Sequence, residues 1–328
     1  MSRVEETRDR LKTIGVLGFP FSKGQPRAGA EQGPSALREA GLISDLEALG
    51  RRVIDHGDVA IKDIELDEPV LNVKNSKSVG ENNRKLSKRV AQILGSNQQV
   101  LLLGGDHSMA IGSIHGHAQV EKNLVVVWVD AHADINTPLT SSSGNIHGMP
   151  LSFLVKELER HVPKIEAFDW VKPCISSRDL VYIALRDVDP GERKIIDDLG
   201  ICCFSMHEVD KYGIRDVLDR ALFHVDPSGK RPIHLSFDVD GIDPEFTPST
   251  GTPVPGGLTM REANYIAEEI CLTGRLSVVD IAEVNPLLSQ HVKDGAEKTA
   301  SNTVQLITKF FGRKRQGNYP EGYRIPLP

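Results

Sequence analysis

The sequence predicts an α/β fold with eight mainly parallel strands and helices packed outside the sheet. Eight apolar runs have the length of buried strands, and helical patterns lie between most of them. The eight runs are residues 13–19, 52–59, 99–105, 124–130, 180–185, 201–206, 233–239 and 276–284. Strands that alternate with helices are typical of a parallel sheet. The residues alone do not choose between a closed barrel and an open, doubly wound sheet, since both carry sites at strand carboxyl ends.

The connecting segments complete this prediction. Residues 35–50 and 260–274 show the clearest helical patterns. Two long stretches rich in Gly, Pro, Ser and Thr, 136–148 and 241–258, each follow a strand, and long loops at a site usually carry substrate contacts. Because no linker, repeat or low-complexity segment divides the sequence, we expect a single domain over residues 1–328.

The composition indicates an ordinary globular protein. The chain has 328 residues, of which 39% are hydrophobic and 26% charged, and its net charge of −6 argues against a nucleic-acid partner. No apolar run has the length of a membrane span, and the acidic residues in MSRVEETRDRLKT argue against a transit peptide. The cysteines, Cys174, Cys202, Cys203 and Cys271, have neither zinc-type nor redox spacing. We therefore expect reduced thiols in a cytoplasmic protein that does not bind membranes.

The strand in VVVWVDAHADINTP ends in three residues of a metal-binding type. Asp130, His132 and Asp134 would point the same way if the chain stays extended after the apolar run. Two carboxylates and an imidazole beside a buried strand are costly without a positive charge between them, and a divalent metal is the natural candidate. Taken alone, the segment could also be a polar turn in which Asp134 or Asn136 caps a helix.

Two further strands repeat this ending. VLLLGGDHSMAIGS ends at Asp106 and His107 before a helix of small residues, and PIHLSFDVDGIDP ends in Asp238 and Asp240. The candidate ligands are therefore His107, Asp130, His132, Asp134, Asp238 and Asp240. Six protein ligands, four of them carboxylates, suit two divalent cations that share carboxylates. Oxygen-rich ligation without thiolates favours Mn²⁺ over zinc by ligand type, although zinc has the higher general affinity.

Together the motifs resemble those of the ureohydrolase superfamily and, within it, closely those of the arginases. The matching segments, which extend over nearly the whole chain, are FSKGQPRAGAEQGP, GGDHSMAIGS, DAHADINTP, SSSGNIHGMPLSFL, YIALRDVDPGE, SFDVDGIDP, GTPVPGGLTMRE and EVNP. The resemblance implies an open, doubly wound eight-stranded sheet with helices on both faces. It also implies hydrolysis of the guanidinium group of L-arginine to L-ornithine and urea by a hydroxide held between two Mn²⁺ ions.

The resemblance also assigns each ligand to one or both of the two Mn²⁺ ions and gives the catalytic residues their roles. One Mn²⁺ ion would be held by His107, Asp130, Asp134 and Asp238, and the other by Asp130, His132, Asp238 and Asp240. Glu283 would hold the guanidinium group, Asp134 would relay a proton to the leaving amine, and His147 would shuttle protons. Without the resemblance, Glu283 and His147 would be interpreted as ordinary loop residues, and we interpret His115 and His117 as surface histidines.

At the other end of the substrate, DINTPLTSSSGNIHG matches the arginase pattern that reads an α-carboxylate. By this resemblance, Asn136 and Ser143 would contact the carboxylate directly, whereas Ser141 and Asn145 would assist through water. Ser141 stands where the family usually has Thr.

Three other residues near the substrate are assigned in the same way. Asp189 would hold the α-ammonium group with Glu192 behind it, and Thr252 would lie next to the metal ligands. Two further positions depart from the family pattern, with Met149 in place of Gln and Pro255 in place of Val.

The resemblance further implies a homotrimer. Arg315 matches a tail arginine that binds a neighbouring subunit, and Asp210, Arg261 and Glu262 match its partners. The tail, about residues 312–328, is expected to be irregular and to be ordered at this interface.

Three alternatives remain open at this point. Agmatinase would use the same metals without reading a carboxylate, and the substrate loop argues against it. A deacetylase of the related single-zinc fold is disfavoured by the six-ligand set and by EVNP. A non-catalytic binding protein that keeps the fold would lack ligands, and none is missing here.

Overall fold

The computed structural model describes residues 13–289, 292–319 and 323–326, which contain an eight-stranded parallel sheet. The strands are β1 (Thr13–Gly18), β2 (Arg52–Asp58), β3 (Gln99–Leu103), β4 (Val125–Val129), β5 (Leu180–Leu185), β6 (Cys202–Ser205), β7 (Ile233–Asp238) and β8 (Leu276–Ala282). Their order across the sheet is β2-β1-β3-β8-β7-β4-β5-β6. Because β2 and β6 form two free edges, the sheet is open, which confirms the open sheet and excludes the barrel.

Helices cover both faces of the sheet, as predicted. The α-helices of the described residues are α1 (Gly33–Glu39), α2 (Leu42–Glu47), α3 (Ser76–Gly95), α4 (Ala110–Val120), α5 (Pro190–Leu199), α6 (Met206–Val225), α7 (Met260–Leu272) and α8 (Gly295–Phe310). Helices α1, α2, α6, α7 and α8 pack on one face, and α3, α4 and α5 pack on the other. Within β3, Leu101 and Leu103 face the first group whereas Val100 and Leu102 face the second. Burial on both faces explains why the inner strands are continuous apolar runs, whereas the edge strand β2 is partly exposed and contains polar residues.

Two details differ from the sequence-based expectation. The helical pattern over residues 35–50 is two helices, because Gly41 between them has a φ of +90° that ends α1. Helix α3, which has 20 residues, is not among the clear helical patterns of the sequence. The amino-terminal segment from which a transit peptide was excluded, residues 1–12, lies outside the described residues.

Helix α4 shows why small residues follow β3. A Cβ atom on Gly112 would lie 2.6 Å from the carbonyl oxygen of Asn83, and one on Gly116 would lie 2.4 Å from that of Ser87. Glycine is therefore required where α4 lies against α3.

The cysteines and the helices can be assessed against the expectations of reduced thiols and of no membrane span. All four cysteines are free and partly buried. Burial raises the pKa of Cys202 and Cys203 to about 11, so both are protonated thiols at neutral pH. None of the described helices combines the length and the apolar character needed to span a membrane.

Candidate metal centre and substrate cleft

The predicted ligands meet at the carboxyl edge of the sheet. Asp238 ends β7, Asp130 follows β4, and His107 lies in a single helical turn after β3. All three side chains are almost completely buried. Strands β3, β8, β7 and β4 are successive neighbours, so their ends bring together residues that are far apart in the sequence. We refer to the six predicted ligands at this edge as the floor.

The first group of ligands surrounds the imidazole of His107. Its Nδ1 atom lies 3.0 Å from Asp130 Oδ2, 3.1 Å from Asp238 Oδ2 and 3.2 Å from Asp134 Oδ2. This nitrogen is buried and makes no hydrogen bond within the described residues. The other ring nitrogen, Nε2, lies 2.8 Å from Ser236 Oγ, which orients the ring. A buried nitrogen that faces three carboxylate oxygens without a hydrogen bond is the arrangement expected of ligands that converge on a cation.

The second group of ligands shares a carboxylate with the first. His132 Nδ1 lies 3.2 Å from Asp240 Oδ2 and 3.4 Å from Asp130 Oδ1. Ligand atoms of Asp130, His132 and Asp240 lie within 4.8 Å of one another, as do those of His107, Asp130 and Asp238. Asp130 therefore directs Oδ2 toward the first group and Oδ1 toward the second.

Turns, rather than an extended strand, direct these side chains. The condition that the chain stays extended is not met, because β4 ends before Asp130 and Asp134 has a φ of +50°. Asp130 Oδ1 accepts a hydrogen bond from the amide of His132 at 2.7 Å, and Asp238 Oδ1 accepts one from the amide of Asp240 at 2.8 Å. The spacing of two residues therefore reflects a turn closed by its first aspartate.

The electrostatics of the floor favour bound cations. Burial raises the pKa of Asp238 well above its ordinary value and that of Asp134 to about 6, and neighbouring carboxylates add to both shifts. Burial would lower the pKa of His107, but Asp130, Asp134 and Asp238 outweigh it and raise this pKa well above its ordinary value. Four buried carboxylates are costly as uncompensated charges, whereas divalent cations would neutralise them. The donor set therefore fits divalent cations.

Glu283 and His147, the predicted guanidinium ligand and proton shuttle, lie side by side near the floor. His147 Nδ1 lies 3.5 Å from Glu283 Oε1, and the same oxygen accepts a hydrogen bond from the amide of His107 at 2.9 Å. Burial would lower the pKa of His147, but Glu283 outweighs it and raises this pKa. Glu283 itself is buried and has a φ of +63°, so the backbone after β8 is in the left-handed region.

A cleft of about 140 Å³ opens above the floor. Its lining contains the predicted substrate residues Asn136, Ser141, Ser143, Asp189, Glu192 and Thr252, together with His132, Asp134, His147, Gly148, Asp187 and Asp238. Asn145 is partly buried and is not among the lining residues. The structure thus places most of the predicted substrate residues and part of the floor around one cavity, and Asn145 outside its lining.

The residues expected at the amino-acid end of a substrate are linked to one another. Asn136 Nδ2 donates to Asp189 Oδ2 at 2.9 Å. The carboxylate of Glu192 accepts hydrogen bonds from the amides of Ile135, at 3.1 Å, and Asp189, at 3.0 Å. Burial raises the pKa of Glu192 to about 8, and the charge of Asp134 adds to this shift. Glu192 therefore ties the start of the substrate loop to the first turn of α5.

Two of the three serines in the loop 136–148, Ser141 and Ser143, make short-range hydrogen bonds. Ser141 Oγ accepts from the amide of Gly144 at 3.1 Å, and Ser143 Oγ accepts from the amide of Asn145 at 3.2 Å. Ser143 is exposed, whereas Ser141 is buried. These bonds hold the local turn but do not join the loop to the sheet.

The environment of the ligands includes residues that the sequence reading missed. The ring of Trp128 stacks on His107 with centroids 4.2 Å apart, and its Nε1 donates to Asp130 Oδ2 at 3.0 Å. Trp128 and Ser236 each precede a ligand aspartate by two residues, so strand alternation was the signal that could have found them. Thr252, which was expected next to the ligands, donates through Oγ1 to Asp240 Oδ2 at 3.1 Å.

Arg186 was also missed, and it joins the loops around the second group of ligands. Its guanidinium group donates to the carbonyl oxygens of Asp240, Gly241 and Val254 at 2.6–3.2 Å. The sequence carried no signal for this role, because the acceptors are backbone atoms of distant loops.

Two of the residues expected at a subunit interface, Arg315 and Glu262, make hydrogen bonds within the chain. Arg315 donates to Glu268 through its amide, at 2.8 Å, and through Nε, at 2.9 Å, and its Nη1 lies 3.3 Å from the carbonyl oxygen of Arg261. Glu262 accepts hydrogen bonds from Thr259 at the start of α7. The trimer contact of Arg315 with Asp210, Arg261 and Glu262 stays a prediction.

Comparison with known proteins gives a consistent result. The family model described as "Arginase family" matches residues 12–312. Arginase-1 of Rattus norvegicus is 55% identical over 308 residues, covering 94% of this chain and 95% of that protein. Arginase-1 of Homo sapiens is 54% identical over 318 residues, covering 97% and 98%. The arginase structure from Bacillus caldovelox superimposes with a TM-score of 0.84 at 39% identity, covering 93% of this chain and 99% of that one.

Proposed function

This chain belongs to the arginase family, and from that premise we propose that two Mn²⁺ ions support its conversion of L-arginine and water to L-ornithine and urea. The observation that carries the proposal is the position of Asp130, whose two oxygens face different imidazoles at the bottom of the cleft. His107, Asp134 and Asp238 would complete one site with Asp130. His132, Asp238 and Asp240 would complete the other.

The expected metal follows from the ligand types. Four carboxylates with two imidazoles and no thiolate suit Mn²⁺, and the stacked ring of Trp128 and the hydroxyl of Ser236 would orient His107. When bound, the two cations would lower the pKa of a water molecule and supply a hydroxide nucleophile near neutral pH.

Glu283 is proposed to hold the guanidinium group beside the floor. Its Oε1 is used by the amide of His107, whereas Oε2 is buried and makes no hydrogen bond within the described residues. A guanidinium stays protonated at working pH and has several N–H donors, so it would supply the missing partner. This contact would place the guanidinium carbon close to the attacking oxygen.

The proton balance assigns separate tasks to Asp134 and His147. Attack of water on the guanidinium carbon forms a C–O bond, and the C–N bond to the ornithine side chain breaks. The leaving nitrogen carries one hydrogen and must gain two to depart as an ammonium group, so both hydrogens of the water move to it. We assign the first transfer to Asp134, in the floor, and the second to His147, which borders the cleft and solvent.

At the far end of the cleft, the loop residues would select the amino-acid group. Asn136 and Ser143 are proposed to donate to the α-carboxylate, with Ser141 and Asn145 assisting through water. Asp189 would accept from the α-ammonium, and its position is supported by the amide of Asn136 and by Glu192. In this proposal the floor holds the two cations, and the loop 136–148 recognises the α-carboxylate of the substrate.

The assembly and the location are part of the same proposal. We propose a cytoplasmic homotrimer in which the tail carrying Arg315 contacts a neighbouring subunit. Light scattering that gives a monomer at working concentration would remove this part while leaving the catalytic part intact, since all the proposed ligands come from one chain.

The proposal is tested by loading the protein with Mn²⁺ and measuring urea release from L-arginine and from agmatine. We expect rapid release from L-arginine only, and elemental analysis should give about two manganese ions per chain. Equal rates with agmatine would indicate an agmatinase. One zinc ion in the active protein would overturn the two-metal assignment.

A further inference from the structure

We propose that the segment Val70–Asn75, between β2 and α3, braces the substrate loop 136–148 and that Asn72 thereby sets the affinity for L-arginine. This inference rests on the proposed function of the loop. The segment is the end of a long irregular connection, and its sequence, VLNVKN, contains none of the residues assigned to the site. The proposal is based on the hydrogen bonds that the segment makes with the loop.

Two hydrogen bonds join the segment to the substrate loop. Asn72 Nδ2 donates to the carbonyl oxygen of Ser141 at 2.8 Å, and the amide of Lys74 donates to the carbonyl oxygen of Gly144 at 2.9 Å. Val70 and Val73 exchange backbone hydrogen bonds of 2.9–3.0 Å, so the segment is a closed turn and not a free strand. The bonds of Ser141 and Ser143 are local, and this brace therefore connects the middle of the loop to a different part of the fold.

A third contact reaches the loop that supports His147. Asn75 has a φ of +52° and stands at the start of α3, but its side chain donates to the carbonyl oxygen of Lys23 at 2.8 Å. The next residue, Gly24, accepts a hydrogen bond from the amide of His147 at 3.0 Å. The first amides of α3 are bound by Asp67 instead, which leaves the Asn75 side chain for this tie. One short segment thus supports the middle of the loop directly, at Ser141 and Gly144, and its end at His147 indirectly, through residues 23 and 24.

Gly144 shows how closely the two segments approach. It has a φ of +71°, and a Cβ atom there would lie 1.8 Å from the carbonyl oxygen of Asn72. A side chain at this position would therefore separate the segments, in addition to the strain of its backbone conformation.

The first test replaces the donor of the brace. Asn72→Ala should raise the KM for L-arginine about fivefold, the effect of one net hydrogen bond, while kcat, manganese content and the low agmatine rate stay unchanged. Asn72→Asp keeps the shape but cannot donate when ionised, so its KM should rise at least as much. Asn123→Ala, in an exposed turn before β4, is the matched control and should change nothing.

The second test uses two glycines of similar conformation. Gly200 has a φ of +61° with no atom within 4 Å of its Cβ position, and it lies at the end of α5. Gly144→Ala and Gly200→Ala share the backbone strain, but only Gly144→Ala should also push the two segments apart and raise the KM, by roughly tenfold or more. Equal KM values in the two variants would overturn the proposal.

Hydrogen exchange separates failure of the brace from failure of the proposed function. Amides of residues 141–148 should exchange faster in Asn72→Ala, whereas amides of α7 should exchange as in the wild type, which also verifies folding. Unchanged exchange in the loop, or faster exchange without a change in KM, would refute the proposal. If the wild type releases no urea from L-arginine, the proposed function fails, and faster loop exchange would then support the brace without its role in affinity.

Discussion

The floor and the substrate loop of the cleft are held by different means. The floor carboxylates Asp130, Asp238 and Asp240 are buried and come from neighbouring strands, and each begins or ends a turn fixed to the sheet. The loop places Ser143 in solvent and holds it through a local bond. Sheet pairing therefore fixes the floor, whereas the loop depends on a few separate hydrogen bonds.

This difference matches the proposed division of roles, in which the floor supports the reaction and the loop selects the substrate. Moving one strand end would displace several floor residues at once, so the floor can change little without losing cation binding. The loop can shift by breaking single hydrogen bonds, each worth about 1 kcal/mol, without disturbing the sheet. We expect substitutions at the floor to remove the reaction and substitutions in the loop to change which substrate is used.

The largest effect is expected for Asp238→Ala. Asp238 is proposed to contact both cations, so its loss should remove tight manganese binding and nearly all urea release. Metal content after dialysis and urea release are the measurements. A variant that keeps two manganese ions would show that Asp238 is not needed to hold them, which would contradict the proposed floor.

Next in size is the effect of the loop on substrate choice. The wild type should prefer L-arginine to agmatine by up to roughly ten-thousandfold, because agmatine leaves the carboxylate-reading donors without a partner. Replacing Asn136 and Ser143 together with Ala should cut kcat/KM for L-arginine sharply and leave the agmatine rate nearly unchanged. The kcat/KM for argininic acid, which lacks the α-amine, should instead change little when Asp189 is replaced. A wild type that hydrolyses agmatine as well as L-arginine would break the assignment of the loop.

His147→Ala tests whether His147 acts as a proton shuttle of the loop or as a metal ligand of the floor. His147 contacts Glu283 near the floor but belongs to the loop, so we expect kcat to fall roughly ten- to a thousandfold, as for a proton-transfer residue. Manganese content should not change. If the substitution removes manganese, His147 belongs to the floor and its assignment as a shuttle is wrong.

The smallest effect on activity is expected outside both regions. Burial would raise the pKa of Asp226, but hydrogen bonds from Ser228, Arg231 and Lys230 and the charge of Arg275 lower it to about 2. A lowered folded-state pKa means that the carboxylate stabilises the fold above about pH 4 and loses this effect as the pH falls toward 2. Asp226→Asn should lower the free energy of unfolding by about 2 kcal/mol at pH 7, and by roughly half as much at pH 3. Denaturant unfolding at both pH values, with unchanged KM, is the check; a pH-independent loss would contradict it.

The sequence predicted the floor better than the surroundings of the cleft. Every predicted strand is present with bounds within about two residues. The inner strands are the clearest, because strands buried on both faces are continuous apolar runs. The predicted ligands were placed at the strand ends, and the structure brings them together there. Their turns were not predicted, since the left-handed backbone of Asp134 has no marker in a sequence without glycine at that position.

What the sequence could not predict depends on contacts between distant segments. Asn72 and Arg186 act on backbone oxygens, and a carbonyl group is the same in every residue. His117, expected at the surface, is completely buried beside His234, because α4 packs on the sheet at that point. Side-chain chemistry alone gives no information about such neighbours, which are set by the order of strands in the sheet.

The strand order also bears on when the centre can form during synthesis. Strand β8 (Leu276–Ala282) lies between β3 and β7 in the sheet. It is nevertheless the last of the eight strands to be translated. Since chains emerge from the ribosome amino terminus first, β3 and β7 are both without their shared neighbour until the final part of the chain is available. Sheet pairing therefore brings the proposed ligand after β3, His107, beside those after β7 and β4 only once β8 has been translated. Until then the edges of β3 and β7 that pair with β8 stay open, and unpaired apolar strand edges favour misassociation.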